Sequence, residues 1–302
     1  MSKTAPLIKL NDGTLCPAIG FGTGTALYGQ DCAASVTQAI NAGFTHLDGA
    51  QVYNNEEHLG AGIKAAMAEK SLARDDLYIV TKLKPKVNDV EGALVESLRK
   101  LEVDYVNLYL IHAPPRPFDR DALRNLWTAM EVVKSKGLAR SIGVSNFTVK
   151  DLEAILTPDA EAGFEPKVVP SVNQIEFHPY VWKEAEPIVE FCLQKGIKPE
   201  SYGGLVPLQR VTGGHVEKVL PAIAERYKNS GIHIEPAQIL EKWILQKGAI
   251  VVTTSSKKKR LEEYLAVPEL PDLTAEEIQS IEGKEESSTL HKRVYMANIF
   301  EF

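Results

Sequence analysis

Eight times along the chain, a short apolar run gives way to a longer amphipathic stretch, and this alternation leaves very few folds open. The runs are AIGFG (18–22), THLDGA (45–50), YIVTKL (78–83), VNLYLIHA (106–113), RSIGVSN (140–146), SVNQIEF (171–177), IKPESY (197–202) and AIVVTT (249–254). Most are nearly continuous in apolar character, as expected of parallel strands covered on both faces. Helix patterns such as EEHLGAGIKAAMAEK, ALRNLWTAMEVVKSKG and EAEPIVEFCLQKG lie between them, and Gly43, Gly137 and Gly196 stand where C-caps belong. Eight strand–helix repeats without a long linker predict an α/β fold: one (β/α)8 barrel of the TIM-barrel type, a single domain over residues 1–302. A doubly wound sheet is the alternative, but it rarely needs eight regular repeats. Two apolar runs flanking Asn11-Asp12-Gly13 predict an N-terminal β-hairpin that closes the barrel's bottom. The segments 157–170, 203–215 and 266–302 read as the longest irregular stretches, and they would shape the mouth at the C-terminal face.

Charge and cysteine usage narrow the class of function. A net charge of −6 and a pI near 5.7 give no general attraction to nucleic acid or to an anionic membrane. Cys16, Cys32 and Cys192 are odd in number and widely spaced, which fits reduced thiols and not a disulfide frame. The opening MSKTAPLIKLNDG lacks the apolar core of a secretory signal, and no apolar stretch approaches the roughly 20 residues of a membrane span. A soluble, cytoplasmic protein is therefore expected. No association stripe is visible, so a monomer is the default and a dimer the alternative. His46, His58, His178, His215, His233 and His291 show no ligand spacing and no HExxH occurs, so no metal site is expected.

Four polar residues stand where separate apolar runs break off. They are Asp48 in HLDGAQVY, Tyr53 five residues on, Lys82 in YIVTKL and His112 ending VNLYLIH. In a parallel barrel these strand ends converge at one rim, where active sites are built. A phenol, with an ordinary pKa of about 10, donates a proton poorly near neutrality, and an adjacent ammonium favours its phenolate. Lys82 supplies that ammonium, Asp48 its counter-charge, and His112 a hydrogen bond to a substrate carbonyl. Singly, each residue reads as ordinary strand-end chemistry; together they make a proton-donating centre. The formal GxGxxA of Gly60-Ala61-Gly62 follows no strand and lies inside a helix pattern, so it reads as small residues for close packing. Thr253-Thr254-Ser255-Ser256-Lys257-Lys258-Lys259-Arg260, directly after the eighth run, places hydroxyls and amides at a helix start among basic side chains, which suits a phosphate.

DGAQVY, IVTKL, YLIHAP, GVSNF, NQIEFHPY and VTTSSKKKR occur in the order found in aldo-keto reductases, and from Gly20 to about Glu263 the chain resembles that family. GTGT, NQIEF and VTTSS look most like a fungal subgroup that includes reductases of conjugated polyketones and of ketopantoyl lactone. The resemblance implies catalytic roles for Tyr53, Lys82, Asp48 and His112. It implies that Ser145, Asn146 and Gln174 hold the nicotinamide amide, that Tyr202 stacks on its ring, and that Gly203 and Leu205 belong to the loop over the pyrophosphate. Thr23, Gly24 and Thr25 become contacts beside Asp48 on the nicotinamide side. Thr254, Ser255, Ser256, Lys257 and Arg260 become the site for the 2′-phosphate of NADPH. Most members carry a Lys where Thr254 stands, which leaves the charge here to Lys257 and Arg260, and Tyr264 replaces an Asn that usually touches adenine. Ala113 stands where sugar-reducing relatives have Trp and Gly24 at another commonly aromatic place, changes expected to widen a substrate pocket lined by Tyr28, His112, Tyr295 and Met296. The expected function is an NADPH-dependent carbonyl reductase favouring α-dicarbonyls such as ketopantoyl lactone or isatin-like diketones. The alternatives are a general aldehyde or xylose-type sugar reductase and, from another class, an NADPH-sensing subunit with little turnover.

Overall fold

The computed structural model describes residues 4–84, 86, 87, 89–283 and 292–295. The chain opens with a hairpin, β1 (Leu7–Lys9) antiparallel to β2 (Leu15–Pro17), with Leu7 opposite Pro17. Leu10 N donates to Thr14 O at 2.8 Å, so the turn is Asn11-Asp12-Gly13, and Gly13 adopts φ 87°. That left-handed conformation is what the glycine is for.

Eight parallel strands follow and close into a barrel: β3 (Ile19–Gly22), β4 (His46–Asp48), β5 (Tyr78–Leu83), β6 (Val106–Ile111), β7 (Ala139–Ser145), β8 (Val172–Glu176), β9 (Lys198–Tyr202) and β10 (Ile250–Thr253). Each lies within two residues of the limits read from the apolar runs. The crossovers are α1 (Ala33–Ala42), α2 (Glu56–Lys70), α3 (Val90–Leu101), α4 (Arg120–Ser135), α5 (Val149–Leu156) and α6 (Trp182–Gln194). Between β9 and β10 run α7 (Val206–Gln209), α8 (His215–Asn229) and α9 (Pro236–Gln246); α10 (Lys258–Leu265) and α11 (Ala275–Glu282) follow β10. Two segments expected to be irregular are thus partly helical. α7 is a single turn within 203–215. α11 is started by a capping box in which the Thr274 hydroxyl accepts from Glu277 N while the Glu277 carboxylate accepts from Thr274 N. Among the described residues, no helix is long and apolar enough to cross a membrane.

The core has two parts. Trp127, Trp243, Phe44 and Phe147 fill the space between barrel and helices, while Leu10, Cys16, Tyr78, Val80, Leu108, Leu110, Val172 and Ile250 pack inside the barrel. Leu10 and Cys16 come from the hairpin, so β1–β2 closes the barrel floor as expected. Cys16, Cys32 and Cys192 are all buried and unpaired. The GxGxxA of α2 is packing: a Cβ on Gly60 would stand 2.7 Å from Lys100 O, and one on Gly62 2.5 Å from Ala33 O.

Candidate active site

Period-two geometry sends alternate strand residues inward, and several inward positions here are polar. Above the apolar floor lie His46 and Glu200, both fully buried, with His46 Nε2 3.5 Å from Glu200 Oε1. Room for the imidazole comes from Gly20, where a Cβ would stand 2.8 Å from His46 Cγ. Two residues further along their strands, toward the mouth, come Asp48 and Tyr202.

Lys82, fully buried, donates to both carboxylate oxygens of Asp48 at 2.7 Å, to Gly49 O at 2.9 Å and to the Tyr53 hydroxyl at 3.3 Å. Tyr53 closes a short 3-10 turn, Gln51–Tyr53, after β4, and its ring meets the His112 imidazole edge-on at 5.4 Å. The four residues named from the strand ends therefore form one cluster. Burial alone would depress the Lys82 pKa, but the Asp48 carboxylate and the Tyr53 oxygen outweigh it and the net direction is up. The His112 imidazole is held at about 3, by burial first and Lys82 second, so the ring is neutral. For Tyr53 the net direction corrects the expectation from sequence. Lys82 does pull the phenol's pKa down, but burial pushes it up by more. The resting phenol keeps its proton, and the Lys82 ammonium beside it favours the phenolate.

The predicted nicotinamide set is wired into this cluster. Gln174 Nε2 donates to Asp48 Oδ2 at 2.9 Å and to Glu200 Oε2 at 2.7 Å, and Ser145 Oγ donates to Gln174 O at 2.7 Å. Asn146 adopts φ 62° and donates through Nδ2 to His112 O, and its Oδ1 accepts from the Tyr202 hydroxyl at 2.6 Å. Thr23 is buried and bonds Asp48 O through its hydroxyl.

A cavity of about 360 Å³ opens beside Tyr53. It is lined at its catalytic end by Gly24, Thr25, Tyr28, Asp48, Val52, Tyr53, His112, Asn146 and Gln174, and it runs past Tyr202, Gly203, Gly204, Leu205 and Val206 to Glu241, Thr253 and Thr254. Beyond it Ser255 is half-buried, and Ser256, Lys257 and Arg260 are exposed at the start of α10. On that helix Lys258 and Lys259 face Glu262 and Glu263 at 3.8 and 3.2 Å, whereas Lys257 and Arg260 carry no ion pair among the described residues. A dinucleotide fits this donor set. The buried His112 Nδ1 lacks a hydrogen-bond partner, and His112 borders the cavity.

Not every predicted substrate residue lies on the cavity. Tyr28, His112 and Tyr295 line it, but Ala113 is buried in the outer core; of the predicted cofactor residues, Thr23 and Ser145 are buried and do not line it. Met296 lies outside the described residues. A Cβ on Gly24 would stand 2.4 Å from Tyr53 Cζ, so the space left by that glycine is taken by the catalytic ring and not by substrate. Gly203 takes φ 70° and a Cβ on Gly204 would meet Ile244 Cδ1 at 2.5 Å, so this glycine pair seats the loop on α9 instead of loosening it. Reading the sequence missed Glu200 and Glu241. Glu200 is a charge inside a barrel strand, a usable signal; Glu241 sits in PAQILEKWILQ, where nothing marks it.

The matched family model is the Aldo/keto reductase family, over residues 18–286. The chain is 41% identical over 261 residues to an NAD/NADP-dependent indole-3-acetaldehyde reductase of Schizosaccharomyces pombe, covering 84% of this chain and 86% of that protein. It is 36% identical over 313 residues to aldo-keto reductase family 1 member C2 of Homo sapiens, covering 91% and 90%. A Bombyx mori aldo-keto reductase solved in complex with NADP superposes with a TM-score of 0.78 at 34% identity, covering 92% of both chains. A Brucella melitensis aldo/keto reductase gives 0.76 at 31% identity, covering 92% of this chain and 99% of that one.

Proposed function

Since the chain belongs to the aldo/keto reductase family, and so is an NADP(H)-using oxidoreductase of carbonyl groups, we propose that its substrates are compact, planar α-dicarbonyls. The observation that carries this is the wall around the reacting groups: Tyr28, Val52, Tyr202 and Tyr295 line the cavity with Tyr53 and His112, and among the described residues no cation lines it. Aromatic faces of that kind favour a flat, neutral, conjugated carbonyl over a flexible, hydroxyl-rich sugar.

In this reading the reduced nicotinamide supplies the hydride when bound. As charge develops on the carbonyl oxygen, Tyr53 passes it the phenolic proton, the general-acid step. The phenolate left behind is stabilised by Lys82, itself held cationic by Asp48. The neutral His112 orients the carbonyl without competing as an acid. Asn146 and Gln174 hold the nicotinamide amide, with Ser145 bonded to Gln174 O behind them, Tyr202 covers its ring, and Lys257 and Arg260 take the 2′-phosphate. A cytoplasmic monomer belongs to the same proposal.

The test is NADPH oxidation with ketopantoyl lactone, isatin, a small aromatic aldehyde and xylose, repeated with NADH and with Tyr53→Phe. The dicarbonyls should show the highest kcat/KM, and Tyr53→Phe should lose about 10²–10⁴-fold with NADPH binding intact. A preference for xylose would overturn the substrate class. Tight NADPH binding without turnover of any carbonyl would favour the sensing subunit. The name of the S. pombe relative supports a second reading, an arylacetaldehyde, since the same aromatic wall accepts an indole ring. Indole-3-acetaldehyde therefore joins the panel.

A further inference from the structure

Glu241 is the one carboxylate on the cavity wall that the mechanism leaves unused. It projects from α9 with no exposed surface and lines the cavity with Leu205, Val206, Thr253 and Thr254. Its polar neighbour is the Thr253 hydroxyl of β10, and among the described residues neither group has a further hydrogen-bond partner. A buried carboxyl and hydroxyl that have only each other, side by side on a cavity wall, leave hydrogen-bonding capacity that a ligand would complete. Their position says which part of the ligand that is. One end of the cavity is the Tyr53–His112 cluster and the other is Thr254, next to the basic start of α10. A dinucleotide that reaches both ends lays its diphosphate bridge across the stretch between them.

We propose that Glu241 meets this diphosphate as a neutral carboxylic acid, donating its proton to a phosphoryl oxygen beside the Thr253 hydroxyl. An ionised carboxylate at the same place would repel the anion in a medium of low dielectric. Burial favours the acid form, pushing the Glu241 pKa up to about 8. The groups packed around it do not reverse this. Tyr264 of α10 faces Glu241 and is itself pushed up to about 12, by burial first and Glu241 second. Arg260 and Glu263 lie toward the solvent side of that helix, and Glu269, in the turn Val267–Glu269, is exposed. From α8, His215 bonds Ile281 O, Tyr227 bonds Pro271 O, and Arg226 pairs with Glu277. On α9 itself Lys242 pairs with Asp272 and Lys247 with Glu282. β10 and α7 bring no titratable side chain. Among the described residues, no cation is paired with Glu241.

The proposal rests on the NADP(H) reading above, and its consequence is proton uptake. Above pH 8 the free protein carries a carboxylate, so binding must take one proton from solution. The experiment is NADPH affinity from pH 6.5 to 9.5, by quenching of protein fluorescence, with proton exchange measured by calorimetry at pH 9 in two buffers of different ionisation enthalpy. In the wild type, Kd should be flat to about pH 8 and then weaken to about 30-fold by pH 9.5, with close to one proton taken up per NADPH. Glu241→Gln, a neutral donor of the same shape, should give a flat profile and no uptake; Glu241→Met replaces it should the Gln variant not fold. Glu200 titrates in the same window, so a slope that survives either substitution would assign the proton elsewhere and overturn the proposal, as would a flat wild-type profile. Failure to bind NADPH at any pH would instead sink the cofactor reading itself.

Discussion

Lys82 makes more polar contacts than its three N–H bonds can satisfy at once, and all of them lie in the barrel interior. A charge in that position depends wholly on its partner. Asp48→Ala should therefore lower stability by about 3–5 kcal/mol, the range for orphaning one side of a buried ion pair. Asp48→Ala with Lys82→Met should recover part of it. Urea unfolding of the two variants decides, and equal losses would mean the cost lies in Gln174, which also gives up a bond to Asp48. At this scale the clustering of Asp48, Tyr53, Lys82 and His112 was legible because each stands at or just after the end of an apolar strand, where a polar residue has no packing reason to be. Glu241 was not: charged residues in amphipathic helices usually face water, and only the closure of α9 over β10 turns this one inward. Ala113 was legible as a small residue, but its direction was not, since a strand's final residues leave the pleat that would fix which way they point.

Elements were the easiest level to read, and the misreadings there have a common cause. The tail looked irregular because α11 is short and takes its stability from a capping box and from packing on α8, not from propensity. The glycine motif of α2 looked like a nucleotide loop until its context was weighed, and the close approach of α1 and α3 accounts for it. Gly62→Ala would drive a Cβ into Ala33 O at 2.5 Å, backbone that cannot yield without parting two helices. A loss of about 1–3 kcal/mol follows. Gly204→Ala meets the end of a flexible Ile244 side chain instead and should cost less, with its effect mainly on NADPH affinity. Thermal melts of the pair, each with and without NADPH, check both expectations.

Across the whole molecule, buried titratable groups set how stability responds to pH. Burial pushes Glu200 and Glu241 up to about 8. As pH rises from the ordinary carboxyl value of 4.5, the unfolded chain ionises first, so their contribution is lost between 4.5 and about 8. His46, held at about 4 by burial, acts in the opposite sense: the unfolded chain protonates first, and stability is lost as pH falls from 6.5 toward 4. The melting temperature of the cofactor-free protein should fall from pH 6 to pH 8.5. Glu200→Gln with Glu241→Gln should flatten that limb, and an unchanged slope would place its origin at other residues.

The hairpin that seals the barrel floor also fixes the direction of traffic. With Leu10 and Cys16 packed in one cluster with Tyr78, Val80 and Leu108, the interior is stoppered at its floor, and Tyr53 stands at the other end, on the cavity wall. What reaches Tyr53 or leaves it therefore comes and goes at the end of the barrel away from the hairpin.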